Sequence, residues 1–348
     1  MPRTIGLFAC ALLCAAALAF TSPAFAQSYS ILEVPSLNGG FNQGNAINAS
    51  AHVAGASAGS PEEQGFLYNG STVIGTGVLN VPPINSLYSE AWGINASDEV
   101  VGETQTGEGY AMLYSAGTLV NLSPPNQELS FALGVNKSGQ VVGYWANLSF
   151  QYSAFLWTPK KPNGTTGTFT SLANNLGGTY STGAAINDSG QIVGSATVKN
   201  GNLHAFLYSG GKMADLGTLG GIASMANALN NSGQVVGWSD LSSNKTGHGF
   251  LYSGGKMTDL GILPSAVGST ATGINNFGDI VGYVYYGSHV GQRRAVIYTA
   301  AGPVDLNTLI PAGSGWLLLQ ANGINDAGQI VGTGLLNNIT HAFLLTPQ

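Results

Sequence analysis

Apolar residues alternate with small or polar residues in short runs along most of the chain, and turn residues interrupt these runs every few positions. Runs such as Ile192-Val193-Gly194 and His204-Ala205-Phe206-Leu207-Tyr208 are rich in β-branched and aromatic residues. A period of two favours half-buried β-strands, whereas an amphipathic helix repeats its apolar positions every three or four residues. The pattern therefore predicts an all-β protein without long helices.

Several segments repeat one pattern around an asparagine, which we call the key asparagine. Each has Ile, Val or Leu one residue before the asparagine, Gly or Ala two residues before it, and Gly seven residues after it. The key asparagines are Asn48, Asn95, Asn136, Asn187, Asn230, Asn275 and Asn325. Their spacing of roughly 40 to 50 residues is typical of the four-stranded blades of β-propellers.

The first half of a repeat predicts a strand and a turn. Strand A precedes the key asparagine and has small residues four and two positions before it, which favours close approach of neighbouring backbones. The next four residues, such as Asn187-Asp188-Ser189-Gly190, suit a type I turn. Ala51 and Asp98 replace the turn's glycine in the first two copies. We expect the asparagine side chain to bond turn amides, which is a structural role.

The second half of a repeat predicts three more strands. Strand B is a short β-branched segment that ends in glycine, such as 192–194, and strand C is typified by 204–208. A Gly-Gly turn at 210–211 then leads into strand D at 212–216. Seven such repeats predict a seven-bladed β-propeller of four-stranded antiparallel blades.

The two ends of the chain complement each other. The seventh repeat lacks a strand D, while residues 29–40 read like the strand D segment 213–221. We expect the N-terminal strand to pair into the last blade, built from residues near 29–37 and 317–346. This closure removes the free sheet edges that an open stack of blades would expose.

The N-terminal segment predicts export. A basic start, an apolar run and Ala24-Phe25-Ala26 form a signal peptide over residues 1–26, with cleavage near Ala26. Cys10 and Cys14 lie within it, so we expect no disulfide in the single propeller domain of residues 27–348. We expect a secreted, extracellular or periplasmic protein without a transmembrane segment in the mature chain. The net charge of −6 offers no basic surface for nucleic acid.

Short motifs in the later repeats indicate a family. His-Ala-Phe occurs at 204–206 and 341–343, His-Gly-Phe at 248–250, and Gly-Gly-Lys-Met-Ala-Asp-Leu-Gly-Thr-Leu-Gly-Gly at 210–221. In these motifs the chain resembles the HAF family of extracellular bacterial repeat proteins, and less closely so in the first three repeats and the sixth. The resemblance implies export and a repeat fold, but no activity, cofactor or catalytic residue.

No catalytic constellation stands out. His204, His248 and His341 share one repeat position, where a structural contact is favoured over a metal ring. Acids shared by strand D, such as Asp215, Asp259 and Asp305, are interpreted as turn or cap acceptors. Other acids fall outside the pattern: Glu62, Glu63, Glu90, Glu99, Glu103, Glu108, Glu128 and Asp240. We assign no catalytic residue, metal or cofactor from these patterns.

The long connections between strands B and C and between D and A emerge on one face of the predicted ring, which we call the variable face. They carry aromatic residues that the repeat does not require, and aromatic rings suit sugars or protein surfaces. The alternative is that several of them pack between blades. The candidate ligand-binding residues are Tyr144, Trp145, Trp238, Asp240, Tyr283, Tyr285, Tyr286 and Trp316.

We therefore predict a secreted, non-catalytic binding or scaffold module whose ligand is a glycan or an extracellular protein. One alternative is a glycan-active hydrolase or lyase with acids such as Glu103 and Asp240 in a central cleft. Another is a structural protein of a surface or matrix. The sequence leaves the ligand and the oligomeric state open.

Overall fold

The structure is a computed structural model that describes residues 28–58, 63–81, 84–85, 87–105, 109–124, 129–147, 149–242 and 246–348. The predicted signal peptide, its cleavage site and both cysteines lie outside these residues. Within the described ranges, no helix is long and apolar enough to cross a membrane.

Seven four-stranded antiparallel sheets form the blades of a β-propeller, which confirms the predicted fold. Blade 1 comprises Asn42–Ile47, Val53–Ser57, Gln64–Tyr68 and Val73–Gly75. Blade 2 comprises Tyr88–Ile94, Val100–Gln105, Gly109–Ser115 and Thr118–Asn121. Blade 3 comprises Leu129–Val135, Val141–Ala146, Tyr152–Pro159 and Gly167–Ser171. Blade 4 comprises Gly177–Ile186, Ile192–Val198, Leu203–Ser209 and Lys212–Asp215.

Blades 5 and 6 follow the same order of strands A to D. Blade 5 comprises Gly220–Leu229, Val235–Leu241, Gly247–Ser253 and Lys256–Asp259, and blade 6 comprises Gly268–Ile274, Ile280–Tyr285, Arg293–Thr299 and Gly302–Asp305. A two-stranded hairpin, Asn80–Val81 and Ile84–Asn85, lies between blades 1 and 2. The 3-10 turns Val290–Gln292 and Leu306–Thr308 are the helical elements of the described chain.

Blade 7 closes the ring as predicted. Its strands A to C are Trp316–Ile324, Ile330–Leu336 and Ile339–Pro347, and Tyr29–Glu33 from the N-terminus supplies strand D. The pairing runs from Tyr29 opposite Pro347 to Glu33 opposite Phe343.

Every strand A has a one-residue bulge two to four positions before the key asparagine, as between Gly183 and Ala185 in blade 4. The bulge brings the strand A backbone close to the repeated glycine of strand B. A Cβ at Gly194 would lie 1.9 Å from the carbonyl oxygen of Thr182. At the six equivalent glycines, a Cβ would lie 1.8 to 2.1 Å from the corresponding carbonyl oxygen of strand A. This close approach explains why the position is glycine in all repeats.

The hydrophobic core lies between blades. The phenylalanine of strand C is fully buried in five blades, as Phe66, Phe155, Phe206, Phe250 and Phe343. Phe250 of blade 5 packs against Val193 and Ala205 of blade 4. Neighbouring blades therefore share one apolar layer, and burial of each phenylalanine contributes roughly 2 to 3 kcal/mol.

The turns between strands C and D offer a test of backbone strain. Gly210 and Gly254 have φ of 58° and 59°, and Ala116 takes the same place in blade 2 with φ of 47°. Ala116 is exposed and lies in the left-handed region that disfavours a Cβ. We expect Ala116→Gly to raise the free energy of unfolding by about 0.5 kcal/mol and Gly210→Ala to lower it by about 1 kcal/mol, measured by urea denaturation. A loss of stability in Ala116→Gly would contradict this account.

Candidate functional site

Each key asparagine organises its own turn. In all seven blades its Oδ1 accepts hydrogen bonds from the backbone N–H groups two and four residues later, as from Ser189 at 3.1 Å and Gln191 at 2.9 Å in blade 4. This agrees with the structural role expected from the sequence. The fourth turn residue takes a left-handed conformation throughout, including Ala51 and Asp98 at φ of 62° and 59°.

The key asparagines also link the blades, which the sequence did not reveal. Each Nδ2 donates to the backbone carbonyl of the next key asparagine at 3.0 or 3.1 Å. The last of these bonds runs from Asn325 to Asn48 and completes the circle. Each Nδ2 also donates to a nearby side chain, namely Asp98, Glu99, Gln140, Gln191, Gln234, Asp279 or Gln329. With both donors and Oδ1 engaged, these asparagines have no hydrogen-bonding capacity left for a ligand.

A second set of inter-blade bonds involves buried serines that sequence reasoning missed. The serine six residues before the key asparagine accepts from the strand C backbone of the preceding blade, as Ser224 Oγ does from Ala205 N at 2.8 Å. Equivalent serines are Ser89, Ser130, Ser181 and Ser269, and Asn42 performs this role at the closing blade. The sequence signal that could have identified these serines is their recurrence six residues before the key asparagine.

The histidines of the His-Ala-Phe motif contact strand D. His204 Nδ1 lies 2.9 Å from Asp215, His248 Nδ1 2.9 Å from Asp259, and His341 Nδ1 3.1 Å from Glu33. Asp215, Asp259 and Asp305 also accept backbone N–H bonds two residues later, as capping acceptors do. Among the described residues, no three His, Cys, Asp or Glu side chains group as a metal site would require.

The end of the axial channel on the variable face has different chemistry in each blade. We define the channel mouth as the residues five before and eight after each key asparagine, which pair directly across strands A and B. The pairs are Gln43/Ala56, Glu90/Glu103, Phe131/Tyr144, Thr182/Ser195, Met225/Trp238, Thr270/Tyr283 and Gln320/Thr333. The propeller's pseudosymmetry therefore presents non-equivalent side chains at equivalent places.

Two carboxyl groups meet in blade 2. Glu90 Oε1 accepts from Gln43 Nε2 at 2.6 Å and from Asn45 Nδ2 at 3.3 Å. Burial raises the pKa of Glu90 to about 7, with the charge of Glu63 adding to the shift and the amide hydrogen bonds opposing it. Such a group can hold or release a proton near neutral pH.

Glu103 is the more deeply buried of the two, with 4% of its surface exposed. Burial raises its pKa to about 7; Gln105 and Trp92 oppose the shift, while the Glu90 charge adds to it. The Trp92 indole N–H is close enough to influence the carboxyl group but makes no hydrogen bond of good geometry, and Glu103 Oε2 is likewise buried without a partner. This blade therefore holds unsatisfied polar groups at the channel mouth.

Tyr144 stands at the centre of an aromatic row. Its ring stacks on Phe131 at 4.8 Å and lies 5.9 Å from Tyr152, which lies 5.7 Å from Tyr180 of blade 4. Burial raises the pKa of Tyr144, with the Glu103 charge adding to the shift. Tyr144 and the acid pair thus influence one another.

Two other predicted residues pack within their own blades. Trp145 donates from Nε1 to Ser171 Oγ at 3.2 Å and meets Phe169 edge-on. Trp316 meets His341 and Phe343 edge-on. These contacts hold the two rings within a blade, whereas the alternative considered from the sequence was packing between blades.

The remaining predicted residues lie around blades 5 and 6. Trp238 lies over Gly247, where a Cβ would come within 2.1 Å of its ring, and the Tyr285 hydroxyl donates to Gly247 O at 3.3 Å. Asp240 pairs directly with Gly247. The Tyr283 ring carries the Arg293 guanidinium 4.5 Å from its centroid, and Arg293 donates to Gln320 at 2.7 Å. Tyr286 follows strand B and is 37% exposed.

The expectation that these aromatic residues occupy loops is wrong for most of them. Tyr144 and Trp145, Trp238 with Asp240, and Tyr283 with Tyr285 lie on strand B, and Trp316 begins a strand A. Strand B runs beyond its β-branched segment because pairing with strands A and C continues past the glycine.

The acids do not combine as the hydrolase alternative supposed. Asp240 is in blade 5 and Glu103 in blade 2, so they stand on different sides of the ring, and the acid paired with Glu103 is Glu90. Glu99 belongs to the turn of Asn95. Glu62, Glu108 and Glu128 lie outside the described residues.

A family model described as "Protein of unknown function (DUF3466)" matches residues 121–342. The chain belongs to this family. The DUF3466 match runs from strand D of blade 2 into strand C of blade 7. The comparison with curated proteins found no match.

Membership of the HAF family, expected from the tripeptides, is wrong, because the matching family model is DUF3466 and no comparison indicates HAF repeats. The fold explains the tripeptide instead. Its histidine contacts a strand D acid, its small residue packs between blades, and its phenylalanine fills the core.

The solved structures to which this DUF3466 member is similar include the following two. AofleA from Arthrobotrys oligospora is 12% identical, with 73% of this chain and 81% of that chain covered and a TM-score of 0.45. XC5397 from Xanthomonas campestris, described as a gluconolactonase, is 11% identical, with 93% and 91% covered and a TM-score of 0.42.

Proposed function

We propose that this protein is an exported, non-catalytic binding module that takes a glycan at the channel mouth of the variable face. Export rests on the signal-peptide pattern of residues 1–26. A glycan fits the chemistry of the channel mouth, where partly exposed aromatic rings adjoin hydrogen-bonding groups. Trp238 and Tyr283 supply partly exposed rings, and polar groups come from Arg293, which lies over the Tyr283 ring, and from its partner Gln320.

One observation carries the proposal. At one end of the channel, all blades present the same asparagine with its hydrogen bonds satisfied, whereas at the other end no two blades present the same pair of side chains. The seven positions are structurally equivalent, so the fold itself does not require their residues to differ. Non-equivalent residues on a rigid scaffold, several of them partly exposed, are typical of recognition surfaces.

Affinity electrophoresis against soluble β-glucan, xylan, galactomannan and alginate tests this proposal. The wild-type protein should be retarded by at least one of them, and the double variant Trp238→Ala/Tyr283→Ala should bind it roughly tenfold more weakly or worse. Circular dichroism should show an intact fold. Trp145→Ala is the matched control, because Trp145 also lies on a strand B but packs against Ser171 and Phe169.

The control should retain wild-type retardation. If the control and the double variant weaken polysaccharide binding equally, the channel mouth is not the binding site. An absence of retardation by every polysaccharide would refute glycan binding and leave a protein ligand or a structural surface role.

A second candidate function is a glycan hydrolase or lyase, favoured by the acid pair. With pKa values raised to about 7, one carboxyl of Glu90 and Glu103 can be protonated while the other is ionised, as general acid–base chemistry requires. Incubation with the same polysaccharides, followed by assays for new reducing ends and unsaturated products, separates the candidates. Turnover that Glu103→Gln abolishes would establish the enzyme; the binding proposal expects no turnover.

A further inference from the structure

The residue after each key asparagine forms an incomplete inter-blade ladder at the opposite end of the channel. In blades 3 to 6 its backbone N–H donates to the side chain of the equivalent residue in the next blade. The bonds run from Lys137 N to Asp188, Asp188 N to Asn231, Asn231 N to Asn276 and Asn276 N to Asp326, at 3.1, 3.0, 2.9 and 2.8 Å. Each acceptor is a carboxylate or amide oxygen. Each backbone N–H of the ladder therefore faces a position where an acceptor oxygen fits.

The ladder is interrupted over three consecutive joints. The residues that would accept from Asp326, Ala49 and Ala96 are Ala49, Ala96 and Lys137, none of which carries an acceptor in its side chain. Among the described residues, the N–H groups of Asp326, Ala49 and Ala96 have no hydrogen-bond partner. Water occupies such donors by default, and a ligand oxygen can replace it.

These donors border an axial cavity of about 250 Å³. The cavity is lined by the apolar residue before each key asparagine, by the satisfied asparagines, and by the ladder residues. Where blades 4 to 7 place Asp or Asn, blades 1 and 2 have only the methyl groups of Ala49 and Ala96, which leaves room for a ligand. The interrupted sector thus combines unused donors, free volume and an apolar wall from Ile47, Ile94 and Val135.

The charges around the sector define what it can accept. Lys137 supplies an ammonium group that is largely exposed and 3.6 Å from Asp188. Asp326 accepts from Asn276 N and Nδ2, and Asp98 accepts from Asn48 and lies 2.8 Å from His52, so both carboxylates are engaged. The free groups of the sector are therefore its backbone N–H donors, beside the paired Lys137 ammonium group, and their complement is a group that only accepts hydrogen bonds.

We propose that this sector binds the carboxylate of a small aliphatic acid. The carboxylate oxygens take the places that Asp188 and Asp326 side-chain oxygens take in the complete part of the ladder, and the short apolar tail lies against Ile47, Ile94 and Val135. The site is at the opposite end of the channel from the proposed glycan surface and does not depend on it.

Titration of butyrate into protein labelled with 15N-alanine tests this site. The amide resonances of Ala49 and Ala96, assigned by their loss in Ala49→Ser and Ala96→Ser, should shift saturably, and that of Ala116 in the C–D turn of blade 2 should not. Butyramide and sulfate at equal ionic strength should give much smaller shifts. Equal shifts with butyramide or with sulfate would overturn the carboxylate assignment, and so would an absence of saturable shifts with butyrate.

Two substitutions should supply the missing acceptors of the ladder with side chains of the protein itself. Ala49→Asn and Ala96→Asn introduce the side chain that this position already has in blades 5 and 6, and should supply acceptors to the N–H groups of Asp326 and Ala49. Each should weaken butyrate binding about tenfold and raise the melting temperature. Ala116→Asn is the control and should leave butyrate affinity unchanged. Undiminished affinity in both ladder variants would overturn the proposal.

Discussion

Replacing Asn187 with alanine will lower the free energy of unfolding by about 3 kcal/mol, measured by urea denaturation. The Asn187 side chain is buried, accepts from Ser189 N and Gln191 N, and donates to Asn230 O at 3.1 Å and to Gln191 Oε1 at 2.8 Å. Alanine leaves the turn amides of Ser189 and Gln191 without this acceptor, and it removes one of the two donors to the buried carbonyl of Asn230, which keeps its bond from Gly233 N. Unpaired buried polar groups cost more than the hydrogen bond itself contributes.

Asn147 is a matched control within the same chain. Its Oδ1 accepts from Ser149 N at 2.9 Å and Gln151 N at 3.1 Å, and its Nδ2 donates to Gln151. This turn is exposed, and within the described part of the chain the Asn147 side chain has no bond to another blade. Asn147→Ala should therefore cost roughly 1 kcal/mol or less. Similar losses at both positions would show that the turn, and not the link between blades, accounts for the stability.

Glu103→Gln will stabilise the protein at neutral and alkaline pH and have little effect in acid. The folded-state pKa of about 7 lies above the ordinary value of 4.5, so the folded protein holds this proton more tightly than the unfolded chain does. The stability contributed by the protonated form is complete below about pH 4.5 and is lost as the pH rises through about 7. Each pKa unit is worth about 1.4 kcal/mol, so glutamine should gain about 3 kcal/mol at about pH 8.

Urea denaturation of both proteins across this pH range measures the effect. The difference between variant and wild type should grow between about pH 4.5 and pH 7 and then level off. Glu90→Gln should shift the Glu103 transition to lower pH, because it removes the neighbouring charge that helps raise the Glu103 pKa. A pH-independent difference would contradict a buried, proton-holding carboxyl group.

The architecture could be predicted because the local and global patterns agree. The asparagine turn, the β-branched strand that ends in glycine and the strand D sequence at the N-terminus specify four-stranded blades and their closure. The inter-blade bonds could not be predicted, since the partner of Asn187 Nδ2 is a backbone carbonyl 43 residues away. A carbonyl has no sequence signature.

The acid pair escaped prediction because of the strand A bulge. Ile94 pairs with Val100 on either side of the Asn95 turn, and an uninterrupted ladder would place Ala91 opposite Glu103. The register shift between Ala91 and Gly93 moves the partner by one residue and brings Glu90 opposite Glu103 instead. A shift of one residue changes which side chains share a face of the sheet.

The hydrogen bond from Asn325 to Asn48 joins residues 277 positions apart and gives the seventh joint between blades the same bond as the other six. An open array of repeats can fray from its terminal units, because each end unit is held on one side only. Here no blade is terminal, and releasing any one of them breaks two joints at once. The seven units should therefore melt in one cooperative transition.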